Sequence, residues 1–125
     1  MAEQVNRAIA VMITTANRAE AARLAEMLVQ ARLAACVQIM PEMETIYHWQ
    51  NKIERAAEVL LIVKTTEGCF AQLEYEVRQA HSYETPEIVA VPVSHISAPY
   101  LAWLVENVKL TRQQQKAATA NGEDV

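Results

Sequence analysis

LAACVQIMPEMETIYHWQNKIERAAEVLLIVKTT, residues 33–66, decides the fold. From Ala35 to Trp49, apolar and aromatic residues stand at odd positions: Val37, Ile39, Met43, Tyr47 and Trp49. Gln38, Glu42, Glu44 and His48 alternate with them. A period of two predicts a long strand with one buried face. Pro41 brings no amide hydrogen and marks a bulge or an edge within it. HWQNK supplies a turn, and IERAAEVLLIVKTT returns as the second arm of a hairpin. The centre of that arm, Val59 to Val63, is apolar on both faces, so it needs cover on both sides. Helices on one side and another subunit on the other would supply it.

Working outward, AIAVMIT (residues 8–14) is a short apolar run rich in branched residues and reads as a buried strand. Asn17 followed by Glu20 fits a capping box, and Ala21, Leu24, Ala25 and Leu28 recur with helical spacing. That amphipathic helix should end near Arg32. Beyond the hairpin, Thr66 is placed to cap a second helix, whose stripe is Phe70, Leu73 and Val77 and which runs out at His81. PEIVAVPV is a fourth strand, with Pro92 implying an edge or an early end. SAPYLAWLVENV is a short third helix, with Ser97 as its cap, Pro99 in its first turn and Leu101, Leu104, Val105 and Val108 as its stripe.

The order is therefore β-α-β-β-α-β plus a terminal helix. Two βαβ halves joined by a hairpin predict an α+β, ferredoxin-like split βαβ fold, with one four-stranded antiparallel sheet and its helices on one face. The other face is left bare, and association with copies of the same chain is the direct way to cover it. One domain is expected over residues 1–108. Residues 109–125 lose apolar periodicity and read as a helix end and a disordered tail.

The chain has 125 residues, enough for one domain without a disulfide or metal staple. The formal charge of −4 argues against binding driven by nucleic-acid phosphates. Two cysteines are too few for a disulfide scaffold and read as free thiols in a reducing cytoplasm. No run is long enough to span a membrane, and MAEQVNRAIA lacks the basic start and apolar core of a secretory leader. The expectation is a cytoplasmic protein with neither nucleic-acid nor membrane partners. Only Gly68 and Gly122 occur, so both glycine-rich phosphate cradles are absent.

Chemistry-bearing residues gather in AHSYETPEIVAVPV, residues 80–93, where His81, Tyr83 and Glu84 lie within four positions. Two readings stand. In one, this is a turn in which His81 caps the last helical carbonyls, Tyr83 packs and Glu84 meets water. In the other it is a metal or small-anion site, since imidazole and thiolate suit copper and zinc and carboxylate is a harder third ligand. The thiol candidate is Cys36, on the strand face opposite Val37 and Ile39, although a small buried core residue is the plainer role. Cys69, at a helix start, could be reactive but has no ligand neighbour in sequence. His48 and His95 are single and read as exposed. Tyr47 and Trp49 stand two apart on one side of a projecting hairpin and read first as subunit contact. Lys64 could pair with Glu84 or Glu87, or meet an anion. A cysteine–histidine catalytic pair, Cys36 and His81, requires the fold to bring them together.

LAACVQIMPEMETIYHWQNKIERAAEVLLIVKTT, then HSYETPEIVAVPV, then YLAWL, in that order, resembles the CutA-type divalent-cation tolerance family over roughly residues 8–108. The resemblance implies a ferredoxin-like fold assembled as a tight homotrimer, with sheets packed around a three-fold axis and hairpins embracing neighbours. It implies a non-enzymatic protein of metal-ion tolerance that binds copper or another divalent cation. Cys36 and His81 become the candidate ligands, with Glu84 a weaker neighbour. Tyr47, Trp49, Lys64, Tyr83, Glu87 and Trp103 match positions that line clefts between subunits. Three departures stand out: Ser82 where the family usually has proline, which should loosen the turn, Thr85 for an apolar residue, and Gln50-Asn51 for a charged-glycine hairpin tip. The alternative is a signalling or scaffold trimer of PII-like architecture, acting through protein partners or a small ligand in the clefts. The connection over residues 48–52 is short for the long loop of such regulators.

Overall fold

A computed structural model describes residues 2–109. After a short helix α1 (Ala2–Val5) the chain forms β1 (Ala8–Thr15), α2 (Arg18–Gln30), β2 (Cys36–Ile39), β3 (Met43–Trp49) and β4 (Lys52–Thr66). A 3-10 turn over Glu67–Cys69 leads into α3 (Phe70–Ala80), then β5 (Ile88–Pro92) and α4 (Ala98–Glu106). The sheet runs β2-β4-β1-β5, with every pairing antiparallel and β3 alongside the first half of β4. This is the expected split βαβ order.

The expected long strand is two strands. Pro41 has no N–H to give a ladder, and pairing stops between Ile39 and Met43. β4 bridges the gap, because the Met40 N–H still donates to the Leu60 carbonyl at 2.9 Å. The hairpin closes at Gln50 and Asn51, with φ of 52° and 67°. Both values are left-handed, the pattern of a two-residue type I′ turn whose twist matches the strands.

Helix α2 starts at Asn17, whose Oδ1 accepts the Glu20 N–H at 2.8 Å. The reciprocal arm departs from a standard box, since Glu20 Oε1 accepts from Ala16 at 2.9 Å, one residue further out. The helix ends in a Schellman pair. Leu33 N–H reaches the Leu28 carbonyl at 2.9 Å and Arg32 N–H reaches that of Val29 at 3.1 Å, with Arg32 itself at φ 58°. Leu28 and Leu33 both enter the core. Thr66 does not cap through its side chain; its hydroxyl donates to Cys69 Sγ instead, at 3.5 Å. Ser97 caps α4 as expected, accepting from Tyr100 N–H at 3.4 Å.

One face of the sheet carries the core. Ile9, Val11 and Ile13 of β1 and Val59, Leu61 and Val63 of β4 pack with Leu24 and Leu28 of α2 and Leu73 and Val77 of α3. The alternate residues face the other way. Register sets Cys36, Lys64, Ala10 and Val91 in one row across this second face, and Gln38, Ile62, Met12 and Val89 in the next. Val89 and Val91 are exposed. The β3–β4 hairpin also projects, leaving Ile46, Tyr47, Trp49 and Ile53 exposed.

Of the expected stripe on the last helix, Leu104 is buried, and Val108 packs on the core just beyond the helix end. Lys109 donates its N–H to the Arg32 carbonyl at 3.0 Å. The rest of the expected tail lies outside the described residues.

Candidate functional site

His81 is the residue at which α3 stops, and its extended backbone turns the chain toward β1. Its side chain is fully buried and does not cap α3. Nε2 lies 2.7 Å from the Thr14 carbonyl, which can only accept, so this nitrogen carries the proton. Nδ1 takes the Tyr83 N–H at 3.0 Å, so it offers its lone pair there. The ring is therefore a neutral imidazole with both nitrogens committed to backbone.

Glu20 ties this turn to α2. Besides Ala16, its carboxylate accepts the Ser82 N–H on Oε2 at 2.7 Å, and the same oxygen lies 3.7 Å from His81 Nδ1. Burial works to raise the Glu20 pKa, but the hydrogen bonds from Ala16 and Ser82 outweigh it, and the carboxyl is held below its ordinary value. Ser82 therefore does not loosen the turn. It supplies an amide hydrogen that proline would lack, and that hydrogen is a tether.

Tyr83 stacks at a tilt on His81, ring centroids 4.9 Å apart, and donates its hydroxyl to Glu58 Oε2 at 2.8 Å. Burial first, then the Glu58 carboxylate, push the Tyr83 phenol well above its ordinary range. Glu58 is itself buried. The result is a continuous polar chain from α2 through the 81–83 turn to β4. Glu20 and Glu58, on which both ends hang, are invisible to motif reading. Glu20 signals only a helix cap, and Glu58 sits in a strand.

The expected ligands do not meet in one subunit. Cys36 is half-buried opposite Lys64, itself opposite Ala10, whereas His81 bonds to Thr14, four residues or roughly 13 Å further along β1. Glu84 is exposed. Among the described residues no three His, Cys, Asp or Glu side chains group to hold a metal ion. Nor is there a cysteine–histidine pair to serve as nucleophile and base.

Within one subunit the expected cleft residues sit on several elements, Tyr47 and Trp49 in β3, Lys64 in β4, Tyr83 and Glu87 after α3, and Trp103 in α4. Tyr47 and Trp49 lie across from Glu54 and Lys52 on the projecting hairpin, while Lys64 is near the other end of the strand. Lys64 pairs with neither Glu84 nor Glu87; its Nζ donates to Gln38 Oε1 at 3.0 Å. Glu87 is exposed, and Trp103 stacks at a tilt on Tyr100 with centroids 5.5 Å apart. Burial and the adjacent Cys36 sulfur raise the Tyr100 phenol. Cys69 is buried and donates to the Lys109 carbonyl at 3.2 Å, the setting of an inert thiol. His48 and His95 are exposed.

Residues 9–107 match the family model described as CutA1 divalent ion tolerance protein. The chain belongs to this family. It is 44% identical over 97 residues to the divalent-cation tolerance protein CutA of Thermus thermophilus, covering 78% of this chain and 94% of that one. The chloroplastic CutA of Arabidopsis thaliana is 39% identical over 101 residues, 81% of this chain but only 56% of the longer relative. Among solved structures, CutA1 from Oryza sativa aligns with a TM-score of 0.82 at 36% identity, covering 84% of this chain and 96% of the other. The Thermus thermophilus structure aligns at 0.80, covering 82% and 99%. The CutA structure from Archaeoglobus fulgidus is described as periplasmic, so compartment varies among these relatives. No helix among the described residues is long and apolar enough to cross a membrane.

Proposed function

We propose that this CutA1-family chain works as a cytoplasmic, non-enzymatic homotrimer that binds copper in divalent-cation tolerance. The observation that carries the assembly is the uncovered sheet face, where Val89 and Val91 are exposed beside half-buried Met12 and Ile62. An apolar face of this kind, continued by Tyr47 and Trp49 on the same side of the hairpin, fits a second copy better than water. Two free thiols support a reducing compartment.

The proposed ligands are Cys36, His81 and Glu84, and Cys36 is the anchor. Its thiol is free and half-buried on the rim of the open face, and thiolate is the softest donor in the set. Glu84, being exposed, is free to turn. His81 joins only by releasing Thr14 or Tyr83. Because the three stand apart in one subunit, the ion belongs where copies meet.

The test is an anaerobic copper titration of reduced protein with light scattering on the same sample, beside Cys36→Ser and His81→Ala. Saturable binding lost in Cys36→Ser, on a three-chain particle, is the expected result. Binding unchanged in both variants would remove copper from this site. A single-chain mass would remove the trimer.

A second reading, a scaffold trimer acting through protein partners or a small cleft ligand, is favoured by one fact. Both His81 nitrogens already serve the turn. In that reading copper does not bind, and His81→Ala lowers stability alone.

A further inference from the structure

At one end of the open sheet face, hydrogen-bond donors outnumber acceptors. Cys36 and Lys64 are cross-strand partners, with side chains on the same face and Cβ atoms about 5 Å apart for such a pair. Gln38, two residues along β2, shares that face and spends its only acceptor, Oε1, on the Lys64 ammonium. Both amide hydrogens of Gln38 remain, as do two of the three ammonium hydrogens. Tyr100 reaches in from the first turn of α4 and lies against the Cys36 sulfur. Among the described residues Lys64 makes no ion pair, although it is only half exposed. The nearest carboxylate along the same strand and face is Glu58, six residues or roughly 20 Å away.

A cation so placed is stable while water reaches it. Once a second copy covers the apolar rows beside it, water is lost and an ammonium needs an oxyanion to offset its desolvation. That step, and no other, rests on the trimer reading. We propose that Lys64 and Gln38, on the rim bounded by Cys36 and Tyr100, bind a small oxyanion, a carboxylate or phosphate group, through the ammonium and the side-chain amide. A carboxylate oxygen of a second copy shares this chemistry, and the experiment separates the two sources.

Intact protein is titrated calorimetrically with inorganic phosphate and, separately, with acetate. Sodium chloride at matched ionic strength is the control, and light scattering accompanies each run. The expected result is saturable heat from phosphate or acetate and none from chloride. Lys64→Met should weaken binding about tenfold or more, the loss of one charge-assisted hydrogen bond, with Gln38→Leu weakening it less. Both variants should keep the parent's circular dichroism and particle mass. If Lys64→Met does not fold, Gln38→Leu alone decides.

Three outcomes overturn the proposal: no saturable heat together with an intact particle in Lys64→Met, equal heat from chloride, or binding undiminished in the variants. A parent trimer that takes no phosphate, and falls apart in Lys64→Met, assigns the oxyanion to a neighbouring subunit. A parent that is monomeric but still binds phosphate through Lys64 keeps this site and loses only the trimer.

Discussion

Replacing His81 with alanine strips a partner from two buried backbone groups, the Thr14 carbonyl and the Tyr83 N–H. We expect His81→Ala to lower unfolding free energy by about 2–4 kcal/mol in urea titration. Imidazole ¹⁵N shifts near pH 7.5 should report the Nε2–H tautomer; the other tautomer would contradict both hydrogen bonds. Glu20 gives a pH dependence with a definite sign. Its folded-state pKa lies below the ordinary 4.5, so its contribution is full above that value and is lost as pH falls through the folded pKa. The urea midpoint of the parent should therefore decline below about pH 4.5, and Glu20→Gln should flatten that decline. Ser82→Pro removes the amide hydrogen bonded to Glu20, which should cost about 1–2 kcal/mol net of the stiffer unfolded chain. A melting temperature equal to the parent's would show that the tether is dispensable. His81, Tyr83 and Glu84 were visible in the sequence as a cluster, but their partners were not. Glu20, Glu58 and Thr14 reach the turn only through tertiary packing, which no local pattern encodes.

Among the elements, alternation and helical spacing located the strands and main helices because each buries one face. The same alternation overran Pro41. Side-chain period continues through a residue that cannot donate, so hydrophobicity alone joined β2 to β3. The short α1 has no apolar stripe of its own to reveal it. Two tight ends carry left-handed residues other than glycine, at a cost of about 1–2 kcal/mol per residue against the right-handed form. Arg32→Gly in the Schellman end of α2 should therefore raise stability by about 0.5–1 kcal/mol, after the extra unfolded-state entropy of glycine is counted. Asn51→Gly at the hairpin should do the same without altering register. Thermal melts read both, and a drop in either variant would mean that the native side chain makes a compensating contact.

For the whole molecule, the bare face foreseen from a doubly apolar strand is present, and Val89 and Val91 mark where cover is missing. Val91→Glu places a charge in that face without touching the core. Sedimentation should show the parent as three chains and the variant as one, at an unchanged far-ultraviolet spectrum. A variant that stays assembled would move the contact to the Trp49 hairpin. Composition and pattern made the fold and the bare face legible. They could not disclose that Cys36 and His81 stand apart, because separation across a sheet depends on register rather than on residue type.

The fifteen residues of β4 pair with β3, β2 and β1 in turn, and these partners differ greatly in how far the chain must travel to meet them. β3 adjoins β4 through a two-residue turn, whereas β1 and β4 partners are roughly 50 residues apart. Hairpins close in about 1–10 μs, while distant pairings wait on loop closure. The kinetic order should run from the Gln50–Asn51 turn toward Thr66, with β1 arriving late and α2 with it. Substitutions at the hairpin tip then act mainly on the folding rate, and those in β1 mainly on the unfolding rate. The strand that organises the finished sheet is thus also the template on which the rest of the chain is laid down.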